Sequence, residues 1–193
     1  MEEKKTSGEE RLIIPKVFYR YDTGEPFSEC MICQADLLSS GRPYVIEKSI
    51  KRYADLNATD IIYEYAICMP CAMEQKKAMS AESLQNIENY FSSNLPRDQG
   101  LPPEMTVEER LNRCLLFGKP VKEMTEYVIQ AACVGNKLSP MVPPYVIGEK
   151  AMHEISELIS AKTRDEIDGF IDRYFSGPPE WRELLHSKKV VLL

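Results

Sequence analysis

The sequence predicts an α+β chain of two related modules in tandem, each built as a cysteine knuckle, a β-hairpin and helices. Three observations carry this. Two C-x2-C pairs stand 34 residues apart. Segments rich in β-branched and aromatic residues lie between them, and a run of helix formers follows the second pair. The chain also matches itself at an offset of about 80 residues, a signal of internal repetition.

The first element is the pair Cys30-Met31-Ile32-Cys33, followed by a turn-rich stretch from Gln34 to Gly41. Tyr44-Val45-Ile46 and Ile61 to Ile67 read as the strands of a hairpin, with Lys51 to Asp60 as the loop between them. The second pair, Cys68-Met69-Pro70-Cys71, leads directly into Ala72 to Met79, which reads as a helix. Two residues between cysteines let one tight turn aim both sulfurs at a point, and two such turns supply a tetrahedral tetrathiolate site. Cys30, Cys33, Cys68 and Cys71 are therefore the expected ligands of one structural Zn2+ per chain. Iron–sulfur is the alternative for four soft sulfurs. A redox pair needs one C-x2-C, not two. A helix N-terminus favours the anionic thiolate, which suits the placement of the second pair.

A knuckle, a hairpin and a helix carrying the second ligand pair in its first turn resemble the treble-clef zinc-finger superfamily. The two C-x2-C pairs and the run Y-E-Y-A-I-C-M-P-C-A also resemble small bacterial zinc-binding proteins of uncharacterised function. That resemblance implies a zinc-bound fold and transfers no activity. A zinc ribbon is the other candidate, but it would put the second pair in a hairpin turn.

The repeat lays Tyr65–Phe91 over Tyr145–Ile171, with Tyr65/Tyr145, Ile67/Ile147, Glu74/Glu154, Ser80/Ser160, Ala81/Ala161 and Ile87/Ile167 identical. With a small shift, Cys30–Cys33 lies over Cys114–Phe117, and Tyr44–Ile46 over Tyr127–Ile129. On this register Cys33, Cys68 and Cys71 become Phe117, Gly148 and Ala151, so the second copy is degenerate and holds no metal. Val121 to Val134 is readable as a helix as well, from Val121, Met124, Val128 and Ala132 near helical spacing; the repeat favours strand from Tyr127 to Ala131. Ser80 and Ser160 are placed as N-caps of a second helix in each copy, with Glu82 and Asp165 in the first turns. Leu84, Ile87, Tyr90 and Phe91 in one copy, and Ile155, Leu158, Ile159, Ile167, Phe170, Ile171, Tyr174 and Phe175 in the other, are the expected core stripes.

The organisation that follows is an N-terminal segment over 1–25, mobile in its first dozen residues, a zinc-binding module over 26–92, a linker over 93–104, a degenerate copy over 105–176 and a tail over 177–193. Leu12 to Tyr21 alternates weakly, as an added edge strand would. Pro96, Gly100, Pro102 and Pro103 mark the linker. Thr106 to Glu109 reads as a capping box, and Gly177-Pro178-Pro179 as a helix stop. Trp181 to Leu185 is expected to add a turn, and the apolar Val190–Leu193 to dock on the chain, on a second subunit or on a partner. No export signal and no apolar run of membrane-spanning length is read, so a cytoplasmic setting and reduced cysteines are expected.

For function, the chain lacks G-x-S-x-G, a P-loop, a dinucleotide fingerprint and H-E-x-x-H. His153 and His186 are its two histidines, with Cys114 and Cys133 as further thiols. An enzyme on this scaffold is thus the third reading. A nucleic-acid-binding regulatory finger is the second, resting on Lys48, Lys51, Arg52 and Tyr53 in the first hairpin, against a net charge of −6. The first reading is a non-catalytic, zinc-stabilised interaction or scaffold protein, with a protein partner or a second copy of itself and no membrane.

Overall fold

The computed structural model describes residues 12–95, 105–175 and 179–187. In chain order it contains strands β1 (Pro43–Tyr53) and β2 (Ala58–Cys68), helices α1 (Met69–Ala78), α2 (Ala81–Asn94) and α3 (Val107–Leu111), and strands β3 (Glu126–Val134), β4 (Lys137–Leu138) and β5 (Tyr145–Gly148). Helices α4 (Glu149–Leu158), α5 (Ala161–Tyr174) and α6 (Pro179–Ser187) follow. The expected mobile first residues, most of the linker, Gly177-Pro178 and Val190–Leu193 lie outside the described residues.

All five strands form one antiparallel sheet in the order β2-β1-β3-β4, with β5 also paired to β3. The hairpin is longer than its composition suggests. Lys51, Arg52 and Tyr53 continue β1 and pair with Asp60, Thr59 and Ala58, so the connection shrinks to a 3-10 turn closed by Asn57 in the left-handed region. Polar residues extend here because each has a cross-strand partner. The ambiguous Val121–Val134 stretch is a 3-10 turn at Val121–Glu123 followed by β3. Nine registered pairs with β1 hold it extended, overriding the helical spacing. The edge strand expected over Leu12–Tyr21 reduces to one bridge from Ile13 to Lys137 and a 3-10 turn at Lys16–Phe18.

Alternation along β1 gives the sheet two faces. Even-numbered residues face the N-terminal segment. Lys48 is buried there, pairs with Glu64 across the ladder at 2.8 Å and donates to the carbonyl of Tyr19. Glu64 in turn accepts the Tyr21 amide at 2.8 Å. Odd-numbered residues face the helices, where Tyr63 and Tyr65 of β2 meet Phe170 and Phe175 with ring centroids 5.8–6.0 Å apart. Edge-to-face rings of this kind stabilise beyond the area they bury.

The helical caps follow the sequence reading. Ser80 and Ser160 accept the amides of Ser83 and Thr163, and Thr106 with Glu109 forms a full capping box. Asp165 falls beyond the first turn of α5, which holds no acid. The two serine caps meet each other. Ser80 N–H donates to Thr163 Oγ1 at 2.9 Å, Ser160 N–H donates to Ser83 Oγ at 2.8 Å, and the two serine hydroxyls are 2.9 Å apart. Ser83 and Thr163 are fully buried. Two helix N-termini would otherwise bury orphan amides, and this reciprocal set satisfies them.

The stripe on α5 is core as expected, with Ile167, Phe170 and Ile171 buried. The stripe on α2 is half-buried. Ile87, Tyr90 and Phe91 pack on a smaller cluster of Cys114, Leu116, Met124, Ile147, Ala151 and Ile155, and Tyr90 donates to Glu154 at 2.6 Å. Where one turn was expected, α6 runs nine residues. Leu185 is buried, and His186 lies 3.0 Å from Asp168 and 3.1 Å from Asp172.

At the middle of the β1–β3 ladder Glu47 sits opposite Gln130. Glu47 is 1 % exposed. It accepts from Tyr63 at 2.9 Å and from Gln130 at 3.0 Å, and Gln130 accepts from Tyr145. Burial pushes the Glu47 carboxyl up to about 7 against the pull of Tyr63, Tyr65 and Gln130. An unfolded glutamate titrates near 4.5. The stability gained by burying the neutral acid is therefore complete below about pH 4.5 and is lost as pH rises through about 7. Urea unfolding across that range should show Glu47→Gln lacking a pH-dependent component of roughly 3 kcal/mol, at about 1.4 kcal/mol per pKa unit. Parallel profiles for the two proteins would contradict this.

Candidate metal centre

The knuckle at Cys30 is shaped by its backbone. Cys30 N–H donates to Ala35 O at 2.9 Å, and Gln34 N–H donates to Cys30 O at 2.8 Å with Gln34 at φ 58. Met31 N–H donates to Ala66 O at 2.9 Å and ties the knuckle to the end of β2. That strand delivers Cys68 as the N-cap of α1, and Pro70 in the first turn costs no hydrogen bond there. Cys71 follows one turn into the helix. Thus a turn, a strand end and a helix start converge.

The four sulfurs of Cys30, Cys33, Cys68 and Cys71 all lie within 4.8 Å of one another. Cys33 and Cys68 are 3.7 Å apart. A tetrahedron with metal–sulfur bonds of about 2.3 Å has sulfur–sulfur edges of about 3.8 Å, so the set fits an ion at its centre. It does not fit a disulfide, whose sulfurs are bonded at about 2.0 Å. Among the described residues this is the one cluster of histidine, cysteine or carboxylate groups that could hold a metal.

The cluster is graded from inside to outside. Cys30 and Cys68 are buried, Cys71 is half-buried and Cys33 is exposed. Burial pushes the Cys30 thiol up, but the amides of Cys33, Cys68 and Ile32 outweigh it and bring the thiol down to about 7. The Cys68 amide reaches Cys30 Sγ at 3.3 Å. Cys71 is driven strongly upward, first by burial and then by the neighbouring Cys68 and Cys33 sulfurs. Four thiolates this close repel, and a cation is what lets all of them ionise together.

The other sequence-nominated residues fall elsewhere. Lys48 is held by Glu64 and Tyr19 inside the fold, so its ammonium is not offered to a phosphate. Arg52 donates to Lys122 O at 2.6 Å, and Lys51 lies 5.2 Å from the Tyr53 ring centroid. His153 is exposed on α4. Cys133 is buried beside Tyr44, and burial pushes its thiol up to about 12. The pattern V-I-E-K-S-I, with charges at strand positions that turn out buried, was the signal for the Glu47 and Lys48 networks.

The positions aligned with the ligands also come together. Cys114, Phe117, Gly148 and Ala151 line one small cavity with Met124, Lys119, Glu149 and Lys150. The backbone there repeats the first knuckle's bonds. Cys114 N–H donates to Lys119 O, Gly118 N–H to Cys114 O and Leu115 N–H to Val146 O, at 2.8–2.9 Å. Gly118 has φ 63 where Gln34 has φ 58. No protein-family model, curated protein or solved structure matches the chain. Among the described residues no helix is long and apolar enough to cross a membrane.

The metal should hold α1 in place, because no side chain of that ten-residue helix is fully buried. Adding a strong chelator to the loaded protein should lower the far-ultraviolet helical signal and the unfolding midpoint together. Cys30→Ala should cost more stability than Cys33→Ala, since it removes a buried ligand and strands the Cys68 amide. Equal costs would refute this ranking.

Proposed function

We propose that the chain is a non-catalytic, zinc-stabilised interaction or scaffold protein, built as tandem treble-clef-like modules of which the first binds Zn2+ and the second is degenerate. The observation that carries this is the closed set of four thiol ligands joining a knuckle to the start of a helix that buries little of its own. Four protein ligands leave no coordination position for a water or a substrate, which is the arrangement of a structural ion. Soft sulfur ligands in tetrahedral array favour zinc over oxygen-seeking cations.

The tandem reading is supported by the matching bonds of the two knuckles and by the strand registers. Tyr44 pairs with Cys68 in one hairpin, and Tyr127 with Gly148 in the other. Glu47 and Gln130, equivalent in the repeat, face each other at the middle of the shared ladder. Ser80 and Ser160, also equivalent, touch. These are the relations expected of two copies around a pseudo-twofold axis.

For the partner, our reading is a protein surface rather than nucleic acid. Lys48 is enclosed by the fold and Arg52 is tied to the Lys122 carbonyl, while Tyr21, Leu56 and Met141 are 68 %, 75 % and 88 % exposed. Such apolar groups suit protein contact.

Metal analysis of purified protein tests the core of the proposal, with about one zinc per chain expected. Cys68→Ser should lose the ion and the cooperative unfolding of the first module, because binding and folding are coupled. A metal-free chain of full stability would refute the structural role.

A further inference from the structure

We infer that the second knuckle is a latent metal site, shut by the thioether of Met124 in the space where an ion and a fourth sulfur would lie. The inference rests on the tandem reading proposed above.

Met124 is 1 % exposed and reaches into the cavity bounded by Cys114, Phe117, Gly148 and Ala151. A Cβ on Gly148 would lie 2.8 Å from Met124 Sδ, 3.3 Å from its Cε and 3.9 Å from Cys114 Cβ. Gly148 occupies the N-cap of α4 as Cys68 occupies that of α1. Its φ of −86 is extended backbone open to any residue, and Cys68 has φ −67. A side chain at 148 is therefore opposed by space rather than by backbone conformation, since the end of Met124 occupies that space and would have to move. Methionine suits the task, since an unbranched, polarisable side chain fills irregular gaps.

The other substitutions agree. Cys114 keeps its thiol in Cys30's place and is buried. Phe117, in the place of the exposed Cys33, turns its ring under Lys150, whose Nζ lies 4.1 Å from the ring centroid. Ala151, in the place of Cys71, is fully buried. In the first knuckle four sulfurs lie within 4.8 Å of one another, and in the second Met124 lies among the equivalent positions. The backbone that aims four side chains at one point is intact.

Restoring the ligands tests this. Full-length Phe117→Cys/Met124→Ala/Gly148→Cys/Ala151→Cys, purified with zinc, should carry about two ions per chain where the wild type carries about one. Cobalt substitution should raise its thiolate charge-transfer absorption per chain about twofold over the wild type. A variant that holds about one ion, or that does not fold with zinc present, overturns the latent site while leaving the zinc proposal standing. A wild type without metal overturns both. A milder pair tests the plug itself. Gly148→Ala should lower the unfolding midpoint in the wild-type background and cause no further loss in Met124→Ala. Equal effects in both backgrounds overturn the role given to Met124.

Discussion

The antiparallel ladder between β1 and β3 is the constraint on which the rest of the structure depends. It joins the strand pair β1–β2 to the strand pair β3–β5 in a single sheet, and its midpoint is a buried carboxyl group facing a carboxamide. A register slip of one residue would move Glu47 to the face carrying Lys48 and send Lys48 among the aromatic rings of the helical face. Neither group can be buried without its partners. Tyr63 and Gln130 serve one, Glu64 and Tyr19 the other. Polar groups thus specify what an apolar sheet would leave free to slide.

The placement of the four cysteines follows from the ladder that β1 makes on its other side. With β1 in register, β2 places Cys68 opposite Tyr44. The carbonyl of Ala66 then holds the knuckle through Met31, and the helix that begins at Cys68 carries Cys71. On the other side of the ladder β5 ends at Gly148 opposite Tyr127, and Val146 holds the second knuckle through Leu115. One set of backbone relations serves two chemistries. In the first, four sulfurs are gathered closely enough to hold a cation. In the second a thioether and a phenyl ring fill the gap.

The four-cysteine cluster was legible in the sequence because ligand spacing is local: each pair is defined by two intervening residues. Caps were legible for the same reason, since Ser80, Ser160 and Thr106 act on amides three residues away. Strand ends were not. Lys51 to Asp60 looks like a loop by composition, and its extension depends on pairing partners that only the folded hairpin supplies. Lys48 looks like a surface base, and its burial follows from Glu64 and from Tyr19, 29 residues distant in the chain. Met124 fits a helical spacing as well as a plug, and only the position of Gly148 tells the two apart.

The two knuckles differ in what each requires from solution. Helix α4 buries Ala151, Ile155 and Ser156, and so is retained by apolar contact with the sheet. Helix α1 fully buries none of its side chains, and β2 beside it is the sheet's outer strand. On the proposed reading the first half leans on thiolate–metal bonds, which weaken when acid protonates the sulfurs or a chelator competes. The second half has no such dependence. Because β1 lies between them, the stable half keeps a template edge on which β1 and β2 can stay paired when the ion leaves. Loss of metal should then release the knuckle and α1 first, with the exposed Cys33 at the opening edge, while Glu47 and Gln130 hold the centre. A fold divided in this way can release one end without surrendering its core.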